Sequence, residues 1–324
     1  MTDGLKVSDF LLKLSSTLLL TSATGSDVTG GSIFVSDVWR PGLLLAGFER
    51  GLRGDRVQLL GDEEMSFLDS LDDSGRRRAI DLLCAESVPC VVVADGRQPQ
   101  PMLLETASSR NIAVLVTKMD SDDFTRAIES QLDDLLAPQT AVHATLVDVY
   151  GVGLLFTGKS GIGKSECGLD LVANGHRLVA DDVVRVMRTR KDYLIGYGSE
   201  LLKHYMEIRG IGIIDVQAMF GTRAIRQRKR IEVEVKLAAW SDLKDYERLG
   251  FEDEKSDILG VSIPAVTLPL VLGKNITVIS EVVALNYLLK LRGINAARNF
   301  DLRQRRALTV KKDGVLGSTR GDDE

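Results

Sequence analysis

An apolar stretch, Val152 to Phe156, leads into Gly158-Lys159-Ser160-Gly161-Ile162-Gly163-Lys164-Ser165 and then into Ser165 to Ala173, where Leu169 and Val172 share one helical face. This is the order strand, glycine loop, helix, and the loop fits the phosphate-binding pattern G-x-x-x-x-G-K-[ST] at every fixed position. Glycines let several backbone N–H groups turn toward one anion, and the start of a helix adds the positive end of its dipole. Lys164 is then placed to reach the β- and γ-phosphates of a nucleoside triphosphate, and the Ser165 hydroxyl to ligate Mg²⁺. The whole segment from Gly158 through Lys159, Ser160, Gly161, Ile162 and Gly163 to Lys164 and Ser165 is the candidate nucleotide cradle. An ordinary glycine turn with an exposed lysine is the competing reading, and the flanking elements disfavour it.

Composition narrows the class. A chain of 324 residues has room for two domains, and 44% hydrophobic with 27% charged residues is ordinary for a globular protein. A net charge of −5 argues against a protein that mainly binds nucleic acid. Cys84, Cys90 and Cys167 are few, odd in number and not in C-x-x-C spacing, which fits a reducing compartment and neither a disulfide framework nor a structural zinc. No apolar run approaches the roughly 18 residues of a spanning helix. Asp3, Lys6, Asp9 and Lys13 ahead of Leu18 do not resemble a secretory leader, so the expectation is a cytoplasmic protein without membrane or nucleic-acid partners.

Two halves separate by texture. In residues 1–137, short apolar runs (Val57 to Leu60, Cys90 to Ala94, Ile112 to Thr117) alternate with helical stretches (Glu64 to Leu71, Gly75 to Ala85, Asp122 to Leu136), the pattern of a parallel α/β layer. That half has no phosphate loop and no histidine, so it suits regulation or assembly. Leu136 to Thr140, centred on Pro138, reads as the linker. Residues 138–312 hold the phosphate loop, strands at His143 to Val149, Arg177 to Arg188 and Ile231 to Leu237, and a long helix at Ile276 to Leu291. Residues 313–324, rich in Gly, Ser and acid, read as a disordered tail.

Further constellations surround the loop. Leu178-Val179-Ala180-Asp181-Asp182 is an apolar strand ending in two acids, where a phosphate-loop enzyme holds Mg²⁺ or orients its nucleophile. Successive strand residues point to opposite faces, so one acid at most faces the phosphates directly. His143 opens the strand that leads by one hairpin into the loop, whereas His176 follows a helix end and suits interaction with the last carbonyls. Met206 to Val216 combines charges, glycines and an apolar strand. The basic group Arg223, Arg226, Arg228, Lys229 and Arg230 reads first as a solvated face, with phosphate or an acidic partner as the alternative.

Together these segments resemble the HPr kinase/phosphorylase family, bifunctional enzymes that phosphorylate and dephosphorylate a serine of the phosphocarrier protein HPr. The similarity is carried by Arg40-Pro41-Gly42, Gln58 to Gly61, His143 with Leu146 to Gly153, Gly175 to Asp182, Glu207 to Val216 and Trp240 to Gly250, and it extends from about Val35 to Arg303. It implies an α/β fold in which an N-terminal α/β regulatory domain precedes a C-terminal P-loop kinase domain with a mixed sheet. It also implies ATP and Mg²⁺ as cofactors. Asp181 would be the general base toward the HPr serine and the acid in reverse, with His143 beside the phosphates. Ser165, Glu207 and Asp182 would attend to the metal. Arg248 would serve phosphorolysis, in which inorganic phosphate attacks phosphoserine and pyrophosphate leaves. A homohexamer and a role in carbon catabolite regulation complete the implied picture.

Two departures stand out. Pro269-Leu270-Val271-Leu272-Gly273-Lys274-Asn275 carries Val271 and Lys274 where the family has arginines, and neither reproduces a bidentate guanidinium. Ala144 replaces a usual glycine after the histidine. A P-loop kinase of small molecules and a nucleotide-gated regulator without catalysis are the alternative functions.

Overall fold

A computed structural model describes residues 4–25, 29–48, 53–85, 87–199, 202–239, 254–271, 275–296 and 298. The chain divides into two compact units, Met1–Pro138 and Gln139–Glu324. The expected tail at 313–324 lies outside the described residues.

In the first unit the elements run β1 (Leu5–Lys6), α1 (Val7–Leu14), β2 (Thr21–Ser22), β3 (Ser32–Ile33), β4 (Val38–Trp39), α2 (Gly42–Leu45), β5 (Val57–Leu60), α3 (Asp62–Ser70), α4 (Asp73–Leu83), β6 (Cys90–Val93), α5 (Pro101–Ser109), β7 (Ala113–Val116) and α6 (Ser121–Leu136). Strands β4 to β7 are parallel neighbours, and β2 closes one edge antiparallel. Alternate residues feed two cores. Leu59, Val92 and Leu115 pack with Phe10 of α1 and with Phe124, Ile128 and Leu132 of α6. Leu60, Val91, Val93 and Val114 face Leu68, Ile80 and Leu103 on the other side. The spacing of Phe124, Ile128 and Leu132 at i, i+4 and i+8 makes the buried stripe of α6, and Asp120 caps it by accepting from the N–H groups of Asp122 and Asp123. Helix α3 starts two residues before the predicted Glu64, because the Glu64 carboxylate accepts from the Gly61 N–H at 2.9 Å and stabilises an earlier start.

The second unit runs β8 (Gln139–His143), β9 (Thr145–Val149), β10 (Val152–Thr157), α7 (Lys164–Ala173), β11 (Arg177–Ala180), β12 (Val183–Arg188), β13 (Leu194–Tyr197), β14 (Tyr205–Ile208), β15 (Gly212–Asp215), α8 (Val216–Phe220), β16 (Arg228–Ile231), β17 (Val233–Ala239), β18 (Lys255–Ile258), β19 (Val261–Leu270) and α9 (Ile276–Leu291). A mixed six-stranded sheet has the order β11-β9-β10-β17-β19-β18, and an antiparallel four-stranded sheet the order β16-β13-β12-β8. Leu146, Leu155, Val184, Val186, Leu194 and Ile231 pack between the sheets. On the far side of the larger sheet, Val147, Leu154 and Phe156 pack with Leu171 of α7 and Val283 of α9. The layers are therefore sheet, sheet, helices.

Two predicted strands are each broken. Arg177 to Arg188 forms β11 and β12 in different sheets, and His143 to Val149 is interrupted at Ala144. The breaks coincide. Val183 pairs with His143 in the smaller sheet and Ala180 with Leu146 in the larger, so both antiparallel segments change sheet at one level. Tyr150 and Gly151 take the positive φ values of 52° and 83° that a tight hairpin requires.

Helix α7 lies close on β9 because Gly168 has no side chain. A Cβ there would stand 2.7 Å from Thr145 Cγ2 and 3.3 Å from Met206 Cε. Gly168→Val is expected to lower the unfolding free energy by about 1–3 kcal/mol in urea denaturation, as overpacking usually does. Unchanged stability would show that α7 backs away from β9 freely.

Candidate functional site

Strand β10 is buried through Phe156 and delivers the chain to Gly158, whose φ is 143°. A Cβ at Gly158 would meet the Leu237 carbonyl oxygen at 2.5 Å, so only glycine lets the loop leave this close to β17. Gly161 and Gly163 follow at φ 74° and 106°. Helix α7 begins with Gly163 as its N-cap and no side chain capping it, which leaves its first turn open to an anion. Lys164 is only 6% exposed, and its ammonium donates to the carbonyls of Gly158 and Lys159 at 3.2 and 3.3 Å. The lysine is thus held inside the loop it serves. The Arg209 guanidinium covers Gly161 so closely that a Cβ there would overlap it.

The paired acids occupy the level where the strands change sheet. Asp181 is 6% exposed. Its Oδ1 accepts from Thr145 Oγ1 at 2.6 Å and from Ser165 Oγ at 3.0 Å, which ties the acid to the last residue of the phosphate loop. Its Oδ2 is buried without a hydrogen-bond partner. Burial pushes the Asp181 carboxyl above its ordinary value; hydrogen bonds from Thr145, Ser165 and the Asp182 backbone oppose this, while the neighbouring Asp182 charge adds to it.

Asp182 points elsewhere. Its φ is 65°, and the Val183 N–H bonds the Asp181 carbonyl at 2.8 Å across it, a γ-turn geometry that stores strain at the site. The Asp182 side chain is exposed and lies 3.0 Å from His143 Nδ1, which also bonds the Asp182 carbonyl at 2.9 Å. One acid therefore faces the loop and the other faces the histidine. Ala144, buried between them, donates its N–H to the Asp182 carbonyl at 3.1 Å and has no positive φ. A glycine is not needed there.

Glu207 is exposed on β14, in the hairpin whose turn carries Arg209. Among the described residues no three His, Cys, Asp or Glu converge, so Asp181, Asp182 and Glu207 are not a preassembled metal cluster. The donor that does fit Mg²⁺ is the Ser165 hydroxyl, whose proton goes to Asp181 and whose lone pairs face outward, while Asp181 Oδ2 stays without a partner. Mg²⁺ commonly takes one or two protein ligands and fills its shell with phosphate and water. Arg248 and Lys274 lie outside the described residues. The His176 ring does not serve the helix end: its Nε2 lies 2.9 Å from Glu281 Oε1 on α9, and it packs edge-on to Tyr150. The carbonyl of Leu171 is taken instead by the His176 backbone N–H. Nor is the basic run a uniform solvated face. Arg226 pairs with buried Asp148 at 2.6 Å, Lys229 with Glu232 at 2.9 Å, and Arg228 and Arg230 lie over the rings of Tyr197 and Tyr193. Thr145 and Arg209 were not among the expected site residues; only the cross-strand register brings the first to Asp181.

Comparisons with known proteins give the family. A family model described as the HPr Serine kinase C-terminal domain matches residues 134–304, and one described as the HPr Serine kinase N terminus matches residues 5–132. The chain belongs to the HPr kinase/phosphorylase family. It is 46% identical over 286 residues to the HPr kinase/phosphorylase of Prosthecochloris aestuarii, covering 87% of this chain and 84% of that one. It is 42% identical over 284 residues to that of Geobacillus kaustophilus, covering 88% and 91%. A solved structure of the Hpr(Ser) kinase/phosphatase from Coxiella burnetii aligns with 50% of this chain and 98% of its own at 31% identity, with a TM-score of 0.45. The three cysteines are free and buried, and they pack in the cores. Burial pushes the thiol of Cys84 up to about 11 and those of Cys90 and Cys167 to about 12.

The Asp181 environment can be titrated directly. Carboxyl carbon NMR is expected to show Asp181 ionising above the ordinary value of 3.8, and Thr145→Val, which removes a donor to the ionised form, to move it further up. A downward move would mean that the Thr145 hydroxyl does not stabilise the carboxylate.

Proposed function

We propose that this protein uses ATP and Mg²⁺ to phosphorylate a serine of the phosphocarrier protein HPr, and reverses the reaction by phosphorolysis. Family membership supports the reaction class, and one observation carries the chemistry: a buried acid fastened to the phosphate loop, with one oxygen left for a substrate proton. In the forward direction the serine oxygen attacks the γ-phosphorus, its proton passes to Asp181 Oδ2, and ADP leaves. In the reverse direction an oxygen of inorganic phosphate attacks the phosphoserine phosphorus. The serine oxygen leaves with the proton returned by Asp181, and pyrophosphate forms.

The remaining roles follow from placement. The backbone of Gly158 to Ser165 cradles the phosphates, and Lys164 neutralises charge that grows on them. Ser165 would hold Mg²⁺ together with Asp182 and Glu207, and the ion would supply positive charge against the phosphates. His143 fixes the Asp182 turn and so sets the second acid. Arg248 serves phosphorolysis in this proposal. Residues 1–137 act in regulation or assembly, the assembly is a homohexamer, and the protein works in the cytoplasm in carbon catabolite regulation. Val271 and Lys274, in place of arginines, bear on partner docking and phosphorolysis rather than nucleotide binding.

Incubation with γ-labelled ATP and purified HPr tests the reading. Label on an HPr serine, removable by inorganic phosphate with release of pyrophosphate, is the expected result. Turnover only with small acceptors, or ATP binding without transfer, would replace it with a small-molecule kinase or a non-catalytic regulator. Lys164→Ala is expected to slow transfer about 10²–10³-fold, the usual loss for one preorganised charge-stabilising donor. Asp181→Asn should slow both directions about 10²–10⁴-fold while ATP affinity survives. If Asp181→Asn instead abolishes ATP–Mg²⁺ binding and Asp182→Asn removes only chemistry, the two acids have exchanged roles.

A further inference from the structure

A groove of about 680 Å³ runs from the tip of the phosphate loop along one side of α7, closed opposite by the start of α9. None of the roles above uses it. Its near end is Ile162 and Gly163, the loop's own residues, and its far end is Asn174, so it follows the full length of α7, ~15 Å. Its volume lies in the range of small-molecule sites, about 300–1,000 Å³.

We propose that this groove takes the nucleoside of the phosphoryl donor, an inference that rests on the phosphate-loop reading of Gly158 to Ser165. Three observations select that occupant. The first is continuity: whatever carries phosphates on the loop has the rest of its body led past Gly163 into the groove. The second is charge. Glu166 and Asp170 are both exposed along the α7 wall, and two carboxylates there repel a further phosphate or an acidic peptide. They accept hydrogen bonds from ribose hydroxyls or an exocyclic amine. The triphosphate stays on the loop and the uncharged part fills the groove. The third is the lining opposite. Ile162, Leu270 and Ile276 offer apolar surface for a flat base. Asn275 spends its carbonyl oxygen capping α9 at 3.2 Å from the Val278 N–H, which leaves its amide donors for a ligand. Asn174 at the far end supplies donor and acceptor together, the pairing a base edge presents.

The groove also gives Cys167 a place in the site without reactivity. Its thiol is held high by burial, with Ser280 of α9 opposing the shift, so it lies between the helices on either side of the groove as a packing residue.

Calorimetric titration of the full-length protein with Mg²⁺ separates the nucleoside from the phosphates, using ATP and inorganic tripolyphosphate as probes. The wild type is expected to bind ATP at least about tenfold more tightly, ~1.4 kcal/mol. Asp170→Trp fills the groove from an exposed helix position and is expected to weaken ATP about tenfold or more, with tripolyphosphate changed by less than about twofold. Ala173→Trp, also exposed, makes the same comparison if Asp170→Trp is poorly folded by circular dichroism. Equal wild-type affinity for the two probes overturns the nucleoside assignment and leaves the phosphate loop intact. So does an Asp170→Trp that weakens both alike or neither. Wild-type protein that binds neither probe overturns the phosphate-loop reading and this inference with it.

Discussion

The hydrogen bonds from Thr145 and Ser165 to one oxygen of Asp181 join three separate pieces of chain: the start of β9, the end of the phosphate loop, and the turn between β11 and β12. That junction sits where two antiparallel segments leave one sheet for the other. A continuous strand would send alternate side chains to opposite faces and commit all its backbone groups to neighbours. The change of sheet instead frees two residues, Asp181 and Asp182, from the ladder. The turn at Asp182 then aims one acid at the loop and the other at His143. Strain at this turn is held by the pairing on either side of it.

The rest of the second unit keeps that junction dry and fixed. The apolar layer between the sheets, with Leu146, Leu155 and Val184, stands behind the acids. Gly168 lets α7 settle onto Thr145, so helix, threonine and acid form one packed column. Desolvation raises the Asp181 carboxyl, and the two hydroxyls keep it from rising without limit. In the proposed reaction such a base accepts a proton more readily than an ordinary carboxylate and releases it when the reaction runs backward.

Much of this was legible because it is local. The phosphate loop, the Tyr150-Gly151 turn and the Ile276 to Leu291 helix each follow from residues next to one another in sequence. What was not legible depends on pairing at a distance. Between Arg177 and Arg188 only the Asp181-Asp182 pair interrupts good strand residues such as Val179, Val184 and Val186, and it marks a strand end without announcing a change of sheet. Thr145 is an unremarkable strand residue until register sets it beside Asp181. His176 suited a helix end by position, but the ring finds Glu281, more than a hundred residues on. Arg209 over Gly161 likewise depends on how the β14–β15 hairpin folds back toward the loop.

The central claim is that one carboxylate, Asp181, takes the proton in one direction and gives it back in the other. Rate against pH, measured on the same protein for HPr phosphorylation and for phosphorolysis at saturating phosphate, tests it most directly. The forward rate should fall as pH drops through the raised Asp181 pKa, because a protonated acid cannot accept. The reverse rate should fall as pH climbs through the same value, because an ionised acid cannot donate. Profiles that cross in this way support the account; two profiles that rise and fall together, and keep their shape in Asp181→Asn, would contradict it.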